Sequence, residues 1–324
     1  MAEVTITGQI DQAVQSITTT VAAGTKSTIN TVGANQFGQS QLVLGASEDL
    51  GDGMTAYANM VFFLTPQTNG GGFTQDTGSG VGIKGAFGNL FFGNVYNQVW
   101  TVYSAADASG FGATTSAGSV WADTNAVAGG KSRSIVYTLP ALTQGLDITF
   151  EQSYAATATS VGDSTGLGIS YTNGAFFAKY AANQLKTTST TTFSTYDGAA
   201  TATSSTYEGS VASTQALAVT YDLGVTKLYY GAEQMSVSDS GDSAEGKYTY
   251  GLTVPFGAVT LGWGHSNAVF TNASSTQTTI SGDKLFAKYA LSKRTVAYIA
   301  AGKSSTSGAS GAVSNASVGL FHSF

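Results

Sequence analysis

The sequence predicts an all-β protein, a 16-stranded antiparallel transmembrane β-barrel. Three observations lead to this prediction. The 324 residues include 41 glycines, 16 tyrosines and 17 phenylalanines, and this composition favours many short strands over helices. Charged residues make up only 10% of the chain, whereas soluble domains have about 25%. The chain also ends in a strictly alternating strand that closes on Phe324.

Hydrophobic residues make up 42% of the chain and are scattered in alternation with polar residues. No run reaches the ~18 consecutive apolar residues that a membrane helix needs. A barrel strand needs an apolar side chain only at every second position, because only one of its faces contacts lipid. The pattern therefore indicates a barrel wall with an apolar outer face.

The chain is predicted to be a single domain, residues 1–324, because no linker or shift in composition divides it. It contains no cysteine, which excludes disulfides, a thiol nucleophile and a thiolate metal site. The net charge of −6 argues against nucleic acid as a partner, since that would need a basic patch. We predict no cofactor and no metal.

The strands are assigned in order from alternation and from turn residues. In the first strand, apolar Val4 and Ile6 alternate with polar Thr5 and Thr7, and a Thr-, Gly- and Asn-rich connection follows. The sixteen predicted strands are residues 2–15, 39–47, 54–64, 79–86, 90–97, 132–139, 145–155, 165–172, 175–184, 213–222, 225–237, 246–254, 258–267, 281–291, 294–303 and 314–324.

Eight long connections alternate with seven short turns in this assignment. Such asymmetry is typical of outer-membrane barrels, which have short periplasmic turns and longer extracellular loops. An even number of strands lets the first pair with the last, so that no unpaired edge faces lipid. The alternative fold is a secreted all-β sandwich or solenoid.

Three stretches carry a resemblance to a known family. The segment Ser40–Gly51 contains a strand and its turn, and Tyr289–Thr295 is a tight polar turn. Read back from the end, every second residue of the last strand is Phe324, His322, Leu320 and Val318. Together these stretches resemble the Gram-negative trimeric porins of the beta-proteobacterial and neisserial type.

The resemblance implies a water-filled outer-membrane channel for passive diffusion of ions and small hydrophilic solutes. It also implies a homotrimer in contact with outer-membrane lipid and lipopolysaccharide, inserted by the barrel assembly machinery. The expected assembly signal is Val318, Leu320, His322 and Phe324. Because Met1 to Val4 lead directly into a strand, we interpret the sequence as a mature chain with an added initiator Met and infer its export.

Alternation assigns charged residues to the inside of the barrel. Between residues 226 and 233, apolar Leu228 and Tyr230 alternate with Lys227 and Glu233. A Lys or Arg on the lipid face at mid-bilayer costs about 2–4 kcal/mol, so the charged set is expected to face the lumen. The predicted lumen-facing charged residues are Asp147, Glu151, Lys179, Lys227, Glu233, Lys284 and Lys288.

The resemblance also implies where the pore is narrowest. In the family the third extracellular loop folds into the barrel, and residues 98–131 occupy that position, although their composition alone suggests a mobile surface loop. Wall arginines of the family are replaced here by Gln41, Asn94 and Val136, so we expect weak selectivity. The predicted constriction residues are Gln41, Lys84, Asn94, Asp107, Asp123, Lys131 and Arg133.

Catalysis is not predicted. The two histidines, His265 and His322, have no metal-ligand spacing and no adjacent nucleophile motif. Neighbouring His265 and Ser266 would point to opposite faces of a strand. The alternative function is a plugged outer-membrane barrel for surface binding or adhesion, because the loops 185–212 and 265–280 are rich in Ser, Thr and Asn.

Overall fold

The computed structural model of the chain describes residues 3–20, 24–34, 37–66, 74–75, 78–109, 131–154, 163–186, 191–195, 203–207, 211–238, 243–271, 277–306 and 311–324. These residues form twenty β-strands and one α-helix. The elements are β1 (Glu3–Thr20), β2 (Lys26–Ala34), β3 (Gln41–Gly51), β4 (Met54–Phe63), β5 (Thr74–Gln75), β6 (Ser79–Gly85), β7 (Gly88–Tyr96), α1 (Gln98–Ala106), β8 (Lys131–Thr138), β9 (Leu146–Tyr154), β10 (Ser164–Asn173), β11 (Phe176–Lys186), β12 (Thr191–Thr195), β13 (Thr203–Tyr207), β14 (Val211–Asp222), β15 (Lys227–Ser238), β16 (Ser243–Phe256), β17 (Val259–Thr271), β18 (Gln277–Ala290), β19 (Thr295–Thr306) and β20 (Gly311–Ser323).

The described strands build a closed antiparallel barrel of sixteen wall strands, as predicted. Strands β2 and β3 pair with the upper and lower halves of β1 and so form one wall strand in two pieces. Strands β5 and β6 both pair with β4 in the same way, while β12 and β13 pair with each other as a separate hairpin. The ring closes where β20 pairs with β1, from Gln9↔Ser323 to Thr20↔Ala312.

In the part of the wall that extends beyond the apolar band, the structure differs from the prediction. Strand β1 continues to Thr20, and residues 26–34, predicted as a connection, are the strand β2 that pairs with it. Polar side chains predominate on β2, although Ile29 and Val32 are exposed apolar residues, and Thr18 Oγ1 and Thr28 Oγ1 are hydrogen-bonded at 2.9 Å. The apolar residues Ile29 and Val32 are three positions apart in the sequence, so they do not alternate in the way that predicts a strand. The hairpin of β12 and β13 inside loop 185–212 was missed as well.

The two faces of the wall differ as alternation predicted. On β15, Leu228 is 42% exposed and Tyr230 is 47% exposed, whereas Glu233 is 5% exposed. Exposed apolar residues recur at alternate positions around the barrel, as with Leu285 and Ile299 on β18 and β19. This face is the lipid-facing one, since apolar surface of this extent would be costly in water.

The short turns all lie at one end of the barrel, and in several of them a side chain accepts a hydrogen bond from the turn backbone. In the turn between β14 and β15, the Asp222 carboxylate accepts a hydrogen bond from the Gly224 N–H at 2.8 Å. Gly224 has a φ of +81°, a left-handed conformation that residues with a Cβ rarely adopt. Among the described residues, no helix is both long and apolar enough to cross a bilayer.

Candidate pore constriction

The helix α1 lies inside the barrel. One side of it packs on Ala181 of β11 and on Ala216 and Ala218 of β14. The residues just after the helix reach across to β16 and β18, because Ala108 lies against Gly251 and the charge of Asp107 interacts with lysines of β18. A segment that meets strands so far apart around a closed ring must lie within the ring. The described part of the third loop, residues 98–109, is therefore in the lumen.

The local sequence explains why a helix forms here. The side chain of Asn97 accepts a hydrogen bond from the Trp100 N–H at 2.9 Å and so caps the helix at its N-terminus. Val99, Val102, Tyr103 and Ala106 follow at helical spacing and form a buried apolar stripe. The wall opposite this stripe carries alanines, whose small side chains allow the helix to approach the sheet closely.

The first turn of α1 is anchored to the wall by a buried carboxylate. Glu151 Oε1 accepts hydrogen bonds from Ser134 Oγ at 2.9 Å and from Ser153 Oγ at 2.8 Å. Gln98 Nε2 lies 3.4 Å from the other oxygen, Glu151 Oε2. Gly168 makes room for Gln98, since a Cβ there would lie 2.5 Å from Gln98 Oε1. The helix is thus held by polar contacts at its start and by apolar contacts along its length.

The end of α1 places a carboxylate in the channel. Asp107 Oδ1 accepts hydrogen bonds from the Ser109 N–H at 2.8 Å and from Ser109 Oγ at 2.7 Å. The side chain is largely buried, and its charge interacts with Lys284 and Lys288 on the inner face of β18. The loop carboxylate therefore faces a pair of wall lysines.

A second inward element comes from the break between β2 and β3. The buried carboxylate of Asp11 accepts hydrogen bonds from the Phe37 N–H at 2.6 Å, from the Gly38 N–H at 3.0 Å and from the Tyr298 hydroxyl. These bonds hold residues 37 and 38 against the inner wall. The ring of Phe37 then lies edge-on to Tyr298 at 4.6 Å and to Phe286 at 5.2 Å between ring centroids.

The Phe37 ring contacts the ammonium groups of two lysines of β18. Lys284 Nζ lies 4.4 Å and Lys288 Nζ 4.1 Å from the centroid of this ring, within cation–π range. Both ammonium groups also interact electrostatically with the carboxylates of Asp11 and Asp107. Among the residues that the structure describes, two positive and two negative groups therefore meet between β18, β1 and the end of α1. This cluster of Asp11, Phe37, Asp107, Lys284 and Lys288 is the candidate constriction.

A sequence model described as Gram-negative porin matches residues 1–309 of the chain. The chain belongs to the Gram-negative porin family. Porins are channels of the outer membrane, so this barrel is a multi-pass outer-membrane protein through which solutes diffuse passively. No curated protein matches the chain significantly.

Solved porin structures share the fold. An anion-selective porin from Comamonas acidovorans is 21% identical, with a TM-score of 0.81 over 100% of both chains. A trimer form of OmpT from Vibrio cholerae is 13% identical, with a TM-score of 0.71 over 100% of this chain and 99% of that one. OmpF of Salmonella typhi, in complex with daunomycin, is 15% identical, with a TM-score of 0.68 over 99% of this chain and 97% of that one.

Other charges on the inner face of this porin are also paired with charges of opposite sign. Asp147 and Lys179 flank Ser170 in one register row, and their charges interact. Lys247 Nζ lies 3.1 Å from Glu233 Oε1, and both side chains are fully buried. Lys227 is the register partner of Asp222 near a short turn. The seven residues predicted to be lumen-facing charges all lie on the inner face.

The predicted constriction residues do not all meet. Gln41 lies on the inner face, since its register partner Gln9 is two residues from Asp11 on β1. Lys84 is also inside, but it lies next to the short turn that follows β6, between Thr55 and Asn89. Asp107 is part of the cluster described above. Asp123 lies outside the described residues, as does the side chain of Lys131.

Asn94 and Arg133 lie on the outer face, contrary to the expectation that they line the pore. Asn94 is two residues from Phe92, which is exposed on the lipid side, and no bulge interrupts β7 between them. Arg133 is the register partner of Asn94 and of the exposed Tyr154. Both residues begin the polar margin of the apolar band, where charge is tolerated because headgroups and water are near.

Sequence reasoning missed two residues of the cluster, Asp11 and Phe37, and also Tyr298, which donates a hydrogen bond to Asp11. Asp11 carried a signal, since an acidic residue in an alternating strand with apolar neighbours has to face inward. Tyr298 looked like an ordinary aromatic residue of a strand. Phe37 gave no signal, because its inward position depends on hydrogen bonds to Asp11, which is 26 residues away in the chain.

Proposed function

We propose that this porin is a weakly selective general diffusion channel that passes small polar and uncharged solutes and ions of both signs. The observation that supports this is the charge balance at the constriction, where Lys284 and Lys288 lie among Asp11 and Asp107. The electrostatic interaction energy between an ion and one unbalanced charge about 8 Å away would be roughly 2 kcal/mol at an effective dielectric constant near 20. Two charges of each sign cancel most of this field for a passing ion.

The balance distinguishes the chain from a strongly charged pore. Selectivity in channels follows from rings of charge of one sign. The inner wall here carries uncharged Gln41 and Val136 at positions where the resemblance implies arginines. The selectivity in the name of the Comamonas acidovorans porin belongs to that protein, which is 21% identical.

The assembly we propose is a homotrimer. A related barrel, OmpT of Vibrio cholerae, has been solved in a trimer form. The outward side of β4 is a row of apolar residues with alternate small side chains, which suits packing against a second wall: Met54, Ala56, Ala58, Met60 and Phe62. The remaining outer face would contact lipid and lipopolysaccharide.

We also propose that the last strand is read by the barrel assembly machinery. Val318, Leu320 and Phe324 are exposed on the outer face, and His322 lies between them, with Nδ1 3.0 Å from Thr295 Oγ1. Phe324 exchanges two backbone hydrogen bonds with Gly8, at 2.9 and 3.0 Å. The terminal residue therefore closes the barrel as well as ending the chain.

No catalytic role is proposed. His265 Nδ1 lies 3.0 Å from Asp283 Oδ1 on the outer face, which looks like part of a catalytic triad. Ser266, however, points to the inner face and donates its hydrogen bond to Thr249 Oγ1 at 2.8 Å. The histidine and the serine are therefore on opposite sides of the wall.

Single-channel recording in a planar bilayer tests this function. Purified porin should insert with stepwise conductance in potassium chloride, and a trimer should close in three equal steps under high voltage. A barrel closed by a plug would bind the membrane without conductance and would favour the surface-binding alternative.

A further inference from the structure

A large cavity lies below the constriction, towards the end of the barrel that carries the short turns. Its volume is about 770 Å³. The end of α1 forms its roof, with Ser104 and Asp107, and the inner faces of β11 and β14 to β18 form its wall. We call this cavity the vestibule. It borders the constriction, with which it shares Asp107 and Lys288.

The vestibule combines aromatic rings with hydroxyl groups. Phe177, Tyr229 and Phe286 face it from three different strands. Thr253 and Thr260 contribute side chains from β16 and β17, where Thr253 is the register partner of Lys227 and Thr260 is the register partner of Lys288. Apolar flat surfaces thus alternate with groups that donate and accept hydrogen bonds.

The charges of the described residues that line the vestibule are balanced. Lys227 and Lys288 contribute two positive groups, and Asp107 and Asp222 contribute two negative ones. Lys227 Nζ also lies 5.2 Å from the centroid of the Tyr229 ring. A free anion or cation gains little net attraction from such a set. A hydroxyl group gains more, because it can donate to a carboxylate and accept from an ammonium group at the same time.

We propose that the vestibule is a binding site for small saccharides. This inference rests on the proposed diffusion function and adds a class of solute to it. A pyranose ring has an apolar C–H face that stacks on an aromatic ring and an edge of hydroxyls that needs donors and acceptors. Binding sites of this kind join apolar and aromatic walls to a few placed polar groups. A cavity of about 770 Å³ is large enough for a disaccharide.

Maltose block of single-channel current in potassium chloride tests the site. Maltose should interrupt the current with saturating concentration dependence in the wild type. Tyr229→Ala removes a stacking surface and should raise the half-blocking concentration about tenfold. Tyr230→Ala is the matched control, because the next residue of β15 faces outwards and should leave the block unchanged. Thr253→Val, which keeps the side-chain shape, should raise the half-blocking concentration about threefold.

Each outcome decides the proposal. If maltose changes the current only as it changes the conductivity of the bulk solution, the vestibule is not a saccharide site, although conductance in salt still supports the diffusion channel. Equal block by a polyethylene glycol of similar size would mean that volume alone is sensed and would overturn the site. Unchanged block in both Tyr229→Ala and Thr253→Val would do the same. Absence of any conductance would instead refute the proposed function.

Discussion

Asp107→Asn tests the charge balance of the constriction most selectively, because it removes one negative charge and keeps the side-chain shape. The wild-type Oδ1 accepts both hydrogen bonds from Ser109, at 2.8 and 2.7 Å, and an asparagine side-chain oxygen can accept them too. The loop should therefore stay in place. Lys284 and Lys288 would then face only Asp11, and the constriction would carry one net positive charge.

The expected size of the effect follows from one uncompensated charge. The electrostatic interaction energy between this charge and an ion about 8 Å away is roughly 2 kcal/mol at an effective dielectric constant of about 20. At 0.1 M salt the Debye length is about 10 Å, which reduces this to about 1 kcal/mol. This energy favours chloride and disfavours potassium, so the two ions differ by about 2 kcal/mol and we expect the permeability ratio of chloride to potassium to rise about thirtyfold.

The assay is the reversal potential in a tenfold gradient of potassium chloride across a planar bilayer. Asp283→Asn serves as the matched control, because it makes the same change on the outer face, where Asp283 pairs with His265. That control should leave the permeability ratio unchanged. If Asp107→Asn folds normally and its reversal potential equals that of the wild type, the cluster does not control ion passage.

Three further predictions test the wall. Leu285→Arg should reduce the yield of folded, heat-modifiable protein, because it moves a charge into lipid at a cost of about 2–4 kcal/mol. The control Leu285→Phe should fold normally, and equal yields of the two variants would refute the assignment of faces. Deletion of Phe324 should lower the folded yield by removing the hydrogen bonds to Gly8, and normal assembly would argue against the role of the terminus. Asn94→Arg should leave the reversal potential unchanged, because this position lies outside with Phe92; a shift towards anions would place Asn94 in the channel after all.

Most of the barrel could be predicted because alternation is a local signal. On β15, Leu228 and Tyr230 differ from Lys227 and Glu233 in polarity, and that difference alone assigns the faces. The signal is lost where apolar residues do not recur at every second position. The Thr-rich strand β2 was therefore predicted as a connection, although it continues the barrel above the apolar band.

The constriction could be predicted only in part, because it depends on contacts between distant segments. Asp107 was expected from its place in the third loop, but nothing in the sequence indicates that Phe37 would lie against Lys284 and Lys288. The expected inward position of Asn94 came from the resemblance to other porins. Strand alternation would instead have placed Asn94 on the same outer face as Phe92, which is two residues away.

The central claim is that the constriction carries balanced charge, and the reversal potential of the wild-type channel tests it most directly. In a tenfold gradient of potassium chloride, the wild type should reverse close to zero, with a permeability ratio within about twofold of unity because Asp11 and Asp107 offset Lys284 and Lys288. A reversal potential near the chloride equilibrium potential would contradict the account. The lysines would then dominate the pore, and the two carboxylates would contribute little to the field that an ion experiences.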